Sequence, residues 1–441
     1  MDPTPPPAPI EPAQVDAALR AVVEDPQRPL ASLSALALRA GEVVYEGHFG
    51  LRSIEHGWPA DGRTLYRIAS VSKLVTALAV LQQVEAGRLD LDADAGEVLG
   101  FALRHPAHPG EPVTARMLMS HTSSLRDPGD LLAFQVGQTL ADALTREPAW
   151  WAPEPRRSPA ARWFQYANIN QVVLGTMVER LTGQRFDLYV RRALLQPLGI
   201  RGGFHPATDL EPQDAADLAT LYRGGLALPG GRPGDPWLAQ GPERSGVRTP
   251  AVLRLDNYVV GSNAGVFGPQ GALRVSVPGL ARLMRMLLGQ GELDGVRVLQ
   301  PGSVELLLQR QWLYEEGGQG NEGEGGANGD PHHGLFLEWG LGVQRFGARS
   351  RAPAQPGWGD RVGGAQGRFS GVGHLGFAWG LLSGFIVDPA SGNGLIYAVG
   401  GHSDDPDRYT GPVSAFSGWE ERIQQALLAA CGEPGFLAAS G

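Results

Sequence analysis

The sequence predicts an α+β fold: an antiparallel sheet built from both chain ends and flanked by helices, with a mostly helical domain inserted between them. Three observations carry this. Apolar runs of strand length occur early, at 31–38 and 43–49, and again late, at 341–346, 377–388 and 394–399. Helical spacing dominates the stretch between. Glycine and proline, 62 and 35 of 441 residues, break that middle stretch into short elements.

Each element has a local reason. Residues 1–14 are Pro-rich and read as a flexible tail. A helical pattern covers 15–23. Residues 31–38, a turn at Ala40-Gly41 and 43–49 read as a β-hairpin. At 70–85, Val71, Leu74, Val75, Leu78, Leu81 and Val84 recur three or four apart, and Gly87 stops the helix. The inserted domain spans 101–257. Its clearest helix is 169–181, closed by Gly183. The sheet domain, opened by 15–100, resumes over 258–441. It adds a helix at 278–288, the late strands and a closing helix at 418–430. Within it, 315–334 (EEGGQGNEGEGGANGDPHHG) is acidic and Gly-rich and reads as a surface loop. A site is expected in the cleft between the two domains.

Composition narrows the function. Hydrophobic residues are 42% and charged ones 19%, ordinary for a globular chain. The net charge is −9, without a basic block, so no nucleic-acid or anionic-membrane partner is expected. The start MDPTPPPAPIEP lacks a basic segment followed by an apolar run, and a cytoplasmic location is expected. One cysteine, Cys431, excludes an internal disulfide framework and reads as a packing residue. His332-His333 beside Asp330 reads as solvated loop. The strings Gly371-x-Gly373-x-x-Gly376 and Gly318-x-Gly320-x-x-Gly323 lack the strand-to-helix context of a dinucleotide site. No cofactor or metal is expected.

The cations are more telling. Of 37 basic residues, 36 are arginine, and Lys73 is the lone lysine. Arginine can replace lysine as a surface charge. It cannot do so where an amine must lose its proton. Lys73 therefore stands out for chemistry. Ser70-Val71-Ser72-Lys73 opens the best helix, and its first and last residues share a face. A serine hydroxyl needs a base within reach, and a lysine kept neutral by burial can serve. A helix start also offers N–H groups to an oxyanion. Tyr166-Ala167-Asn168 precedes the helix at 169. A tyrosine whose pKa is lowered by a neighbouring lysine can exchange protons, and an asparagine amide can hold a substrate carbonyl or the lysine. His374-Leu375-Gly376 precedes the run at 377. A backbone N–H there can complete an oxyanion hole with that of Ser70.

S-V-S-K, Y-A-N and H-L-G, in this order and spacing, resemble the three motifs of the serine β-lactamase and penicillin-binding protein superfamily. The Y-x-N element resembles its class C β-lactamase-like branch, which includes D-aminopeptidases, DD-peptidases, family VIII carboxylesterases and acyltransferases. The resemblance covers about residues 15–430, supported by LMSHTSSL at 118–125 and GHLGFAWG at 373–380. It implies Ser70 as acylated nucleophile, Lys73 as its activator and Tyr166 as general base and acid. It implies Asn168 as substrate-orienting. An oxyanion hole would come from the N–H groups of Ser70 and Phe377, with Gly376 between Phe377 and the third-motif residue His374. It implies a β-lactamase-like fold and acyl transfer through an acyl-enzyme.

The departures shape the expected substrate. H-L-G replaces K-[ST]-G, whose cation and hydroxyl bind a substrate carboxylate. His374 is largely neutral near pH 7, and Leu375 has no hydroxyl. Phe377 and Trp379 can line an apolar acyl pocket. Ser124 stands where glycine is usual, and His121 reads as structural. A carboxylesterase on small or medium acyl esters is the first reading. A peptidase or amidase of the D-aminopeptidase, DD-carboxypeptidase or β-lactamase type is the alternative. A catalytically silent binding or scaffold protein of the same fold is a third. The expected partner is a small-molecule ester or amide. The sequence leaves the oligomeric state open.

Overall fold

The computed structural model describes residues 10–128, 136–146, 148–152, 163–206, 209–241, 255–314, 322–323, 326–327, 334–347, 359–363 and 369–433. In chain order the elements that place the site are α1 (Pro12–Val23), β1 (Ser32–Arg39), β2 (Glu42–Ser53), β3 (Trp58–Pro59), α2 (Ser72–Glu85), α3 (Ile169–Thr182), α4 (Val277–Leu288), β4 (Trp312–Leu313), β5 (Glu338–Trp339), β6 (Gln344–Phe346), β7 (Gly371–Ala378), β8 (Leu381–Val387), β9 (Gly394–Val399) and α5 (Gly418–Ala430).

Strands β1 to β9 form one nine-stranded sheet in the order β4-β5-β6-β7-β8-β9-β1-β2-β3. Every neighbouring pair is antiparallel. The early hairpin joins the late strands through β1 and β9, with Leu33 opposite Val399 and Leu38 opposite Gly394. Strand β1 is buried on both faces, which is why it reads as a continuous apolar run. Leu33, Ala35 and Ala37 pack with Val15 and Leu19 of α1 and Ile423 and Leu427 of α5. Leu36 and Leu38 face the other core, with Leu74 and Leu78 of α2 and Met284 of α4. Between the two parts of the sheet, the chain supplies α3 and short helices at Ala95–Leu99, Ala115–Met119, Leu140–Arg146 and Phe186–Val190. They pack on the α2 side.

The caps explain the boundaries. The Ser276 hydroxyl accepts from Gly279 N ahead of α4. Ser417 and Glu420 form a reciprocal capping box ahead of α5. Gly183 ends α3 in the left-handed region at φ 66°.

The structure corrects the sequence reading in several places. Helix α1 starts at Pro12, because proline suits a first helical turn, so the tail does not reach residue 14. The run at 377–388 is not one strand. Trp379 and Gly380, at φ 48° and 91°, turn the chain back and make β7 and β8 a hairpin. Ser70 does not open α2. It sits in a 3₁₀ turn, Ala69–Val71, and the α-helix begins at Ser72. The Gly371, Gly373 and Gly376 string lies within β7. Of the loop at 315–334, only the pairing of Glu322–Gly323 with Gly326–Ala327 and Gly334 are described, and His332-His333 lies outside the described residues. No helix among the described residues is long and apolar enough to cross a membrane.

Candidate active site

Ser70 stands where three elements meet: its own 3₁₀ turn, the start of α3 and strand β7. The turn is tightly held. Ala69 takes a left-handed φ of 47°. The Ser72 hydroxyl donates to the Ala69 carbonyl at 2.6 Å and accepts from Leu273 N at 3.1 Å. From the sheet side, Gly376 presses backbone against backbone. A Cβ there would meet the Ile68 carbonyl oxygen and the Ser383 hydroxyl well inside contact distance, so only glycine fits.

Lys73 is fully buried one helical turn after Ser70. Its Nζ lies 2.8 Å from Ser70 Oγ, 2.7 Å from Asn168 Oδ1 and 2.9 Å from the Gln270 carbonyl oxygen. Burial pulls its pKa down to about 7, against the opposing pull of the Asp127 carboxylate. A neutral amine has two N–H groups and one lone pair. Two carbonyl oxygens receive the N–H groups, and the lone pair is left for the Ser70 hydroxyl.

Tyr166 also hydrogen-bonds Ser70. Its ring lies 5.0 Å from Lys73 Nζ. The direction of the Tyr166 pKa shift is opposite to the lowering expected from a neighbouring lysine. Burial raises the Tyr166 pKa, and the Ser70 hydrogen bond does not offset it. At neutral pH the phenol keeps its proton, so Tyr166 is poised as a donor and Lys73 as the acceptor.

Asn168 is held at both ends. Its Oδ1 faces Lys73, and its Nδ2 donates to Asp127 at 2.9 Å. One amide N–H is left for a substrate. Asp127 also accepts from the backbone N–H groups of Asn168 and Ile169, at 2.7 and 2.9 Å. The motifs did not reveal Asp127. Its one sequence signal is its place two residues after LMSHTSSL.

His374 departs from its expected place. It is buried behind Tyr166 and does not line the cavity beside Ser70. Its Nδ1 donates to the Leu375 carbonyl at 2.6 Å. Burial first, and then the charge of Lys73, hold its pKa down to about 3, so it is neutral. Its ring packs edge-on against Trp339 and near Tyr166. His121 belongs to the same aromatic cluster. Its Nδ1 accepts from Ala167 N and Asn170 Nδ2, fixing the Y-A-N segment from behind. Trp379 stacks on Arg67 and takes no part in the cavity lining. Ser124 adopts φ 67°, the conformation that favours a glycine.

The cavity beside Ser70 encloses about 250 Å³. Tyr166, Asn168 and Ser70 form its reactive end. Leu335, Phe336, Leu375, Phe377 and Leu382 give it apolar walls, and Ser417, Glu420 and Asp407 add polar groups to the lining. No lysine, arginine or histidine is among the described lining residues.

A serine beside a buried lysine, with a protonated tyrosine against it and set between an antiparallel sheet and a helical layer, has the groups that serine acyl transfer needs. The family model described as Beta-lactamase matches residues 15–415, and the chain belongs to this family of β-lactamase and penicillin-binding protein relatives. The chain is 35% identical to esterase EstB of Burkholderia gladioli over 193 residues, 40% of this chain and 47% of EstB. It is 30% identical to penicillin-binding protein 4 of Amycolatopsis lactamdurans over 281 residues, 63% of this chain and 65% of that protein. The match thus spans less than two thirds of either relative. Among solved structures, the octameric penicillin-binding protein homologue from Pyrococcus abyssi matches with a TM-score of 0.63 at 20% identity, over 96% of this chain and 78% of that one. The D-amino acid amidase of Ochrobactrum anthropi SV3 matches with a TM-score of 0.60 at 17% identity, over 94% and 98%. Both show the fold.

Proposed function

We propose that this chain is a carboxylesterase that acts on small or medium acyl esters without a charged carboxylate, through an acyl-enzyme on Ser70. The observation that carries this is a cavity with apolar walls and, among its described lining residues, no lysine, arginine or histidine. His374 is neutral and buried, and Leu375 presents no hydroxyl. A penicillin or a D-Ala-D-Ala terminus would bring a carboxylate against described walls that offer no cation to pair it, a costly desolvation. The likeness to an esterase over part of the chain agrees with this reading.

Lys73 takes the Ser70 proton as Oγ bonds to the ester carbonyl carbon. The N–H groups of Ser70 and Phe377 hold the oxyanion. Tyr166 gives its proton to the departing alkoxide and regains one from Lys73. Water then attacks the acyl-enzyme by the reverse proton route. The carboxylic acid leaves, and Ser70 is restored.

A second reading rests on Glu420 and Asp407 in the cavity lining. Two carboxylates there favour an amine-bearing substrate, such as a D-amino acid amide. Comparison of kcat/KM on p-nitrophenyl butyrate, nitrocefin and D-alanyl p-nitroanilide tests both. The butyrate is expected to lead by at least 10²-fold. An ester rate no better than that of Ser70→Ala would overturn the first reading, and a leading anilide would favour the second.

A further inference from the structure

We propose that Asp127 is a positioning residue for acyl transfer: its carboxylate fixes the Asn168 amide so that the Lys73 lone pair is aimed at Ser70. This rests on Ser70 as nucleophile and Lys73 as its base.

A carboxylate only accepts hydrogen bonds. The Asn168 group turned toward Asp127 must therefore be the NH₂, which donates at 2.9 Å. The amide oxygen is then turned to Lys73 Nζ at 2.7 Å. The opposite flip would set amide N–H against amine N–H, and oxygen against carboxylate. Asp127 is itself held by the backbone N–H groups of Asn168 and Ile169. Its carboxylate is thus tied to the same turn that it orders. With Asn168 Oδ1 and the Gln270 carbonyl as acceptors, Nζ has one direction left, toward Ser70 Oγ at 2.8 Å. Without Asp127 the amide can rotate, and that direction is no longer enforced.

Charge adds a second effect. The groups around Lys73 are Ser70, Tyr166, His121, His374 and Asp127. Tyr166 keeps its proton, and both histidines are neutral through burial. Asp127 supplies the negative charge that steadies the ammonium form. Its removal lowers the pH at which Lys73 becomes a base.

Phosphonylation of Ser70 by a fluorophosphonate, read by intact mass across pH, tests this without assuming an ester substrate. Asp127→Asn should have a plateau rate at least tenfold below wild type, with its midpoint at lower pH. Asp127→Glu, which keeps the charge, should label slowly at the wild-type midpoint. Asp127→Asn with Asn168→Ala should be no slower than the slower single variant. A plateau within threefold of wild type, or an unmoved midpoint in Asp127→Asn, overturns the proposal. Where a thermal melt shows the Asp127 variants unfolded, Asn168→Ala decides. It leaves the backbone bonds to Asp127 in place and should label at least tenfold more slowly, and a wild-type rate overturns the proposal. Wild type that does not label would overturn the reading of Ser70 itself, and with it the role given to Asp127.

Discussion

A Cβ on Gly376 would stand 2.4 Å from the Ile68 carbonyl oxygen. Strand β7 and the turn that carries Ser70 therefore meet backbone to backbone. Gly376→Ala must push them apart, moving the Phe377 N–H away from Ser70. We expect acylation to fall by about 10²-fold or more, as when an oxyanion donor is lost. Stability should fall by about 1–3 kcal/mol from overpacking. A p-nitrophenolate burst and a denaturant titration measure the two. Full activity would show that these backbones do not jointly hold the oxyanion.

Lys73→Arg should be nearly as damaging as Lys73→Ala. A guanidinium stays charged and cannot take the Ser70 proton. The loss in kcat/KM should be about 10³-fold, within the range of a removed general base. Substantial activity in the arginine variant would show that Lys73 contributes charge rather than proton transfer.

The pH profile should have a single limb near neutrality. Lys73, with its pKa lowered to about 7, accepts a proton only when neutral. Below that pH, kcat/KM should drop about tenfold per pH unit; above it, the rate should level. His374 is neutral throughout, and Tyr166 remains protonated. The stability effect runs in the same direction. From about 7 to the ordinary lysine value of 10.5, the unfolded chain binds a proton that the folded chain lacks, so this group makes stability rise with pH. A flat profile between pH 5 and 9 would remove Lys73 as the base.

Tyr166→Phe should discriminate between leaving groups. The phenol proton matters most when the departing alkoxide is strongly basic. An ethyl ester should lose about 10²-fold or more, and a p-nitrophenyl ester clearly less. Equal losses would place Tyr166 outside leaving-group protonation.

Phe377 is 44% exposed although it lines the cavity. Truncation to alanine opens no buried void. We expect an unchanged melting temperature and a several-fold rise in KM for aromatic or medium acyl esters, with acetyl esters little affected. A large drop in melting temperature would show that Phe377 supports the fold instead.

Much of this was legible in the sequence. The lone lysine, the three short motifs and the strand-length runs at both ends placed Ser70, Lys73, Tyr166 and Asn168 in one site. What was not legible depends on tertiary contact. Trp379 favours strands by composition, so its left-handed turn carried no signal. Asp127 meets Asn168 from 41 residues away in sequence, through a fold that no local pattern encodes. The burial of His374 comes from Trp339 and Tyr166, which reach it from other elements. Tyr166 was misread because proximity to a lysine suggested a lowered pKa, whereas burial dominates.

The pairing of Leu33 with Val399 has a consequence for biogenesis. During synthesis, β1 and β2 leave the ribosome with the edge that β9 will cover still bare. Nearly the whole chain must be translated before that partner appears, and the helix after Ser70 waits for the same sheet. Such distant pairing makes folding slow and leaves apolar β-edges open to wrong partners. Early hairpin fragments should therefore need chaperone shielding, and catalytic competence should arrive late and all at once.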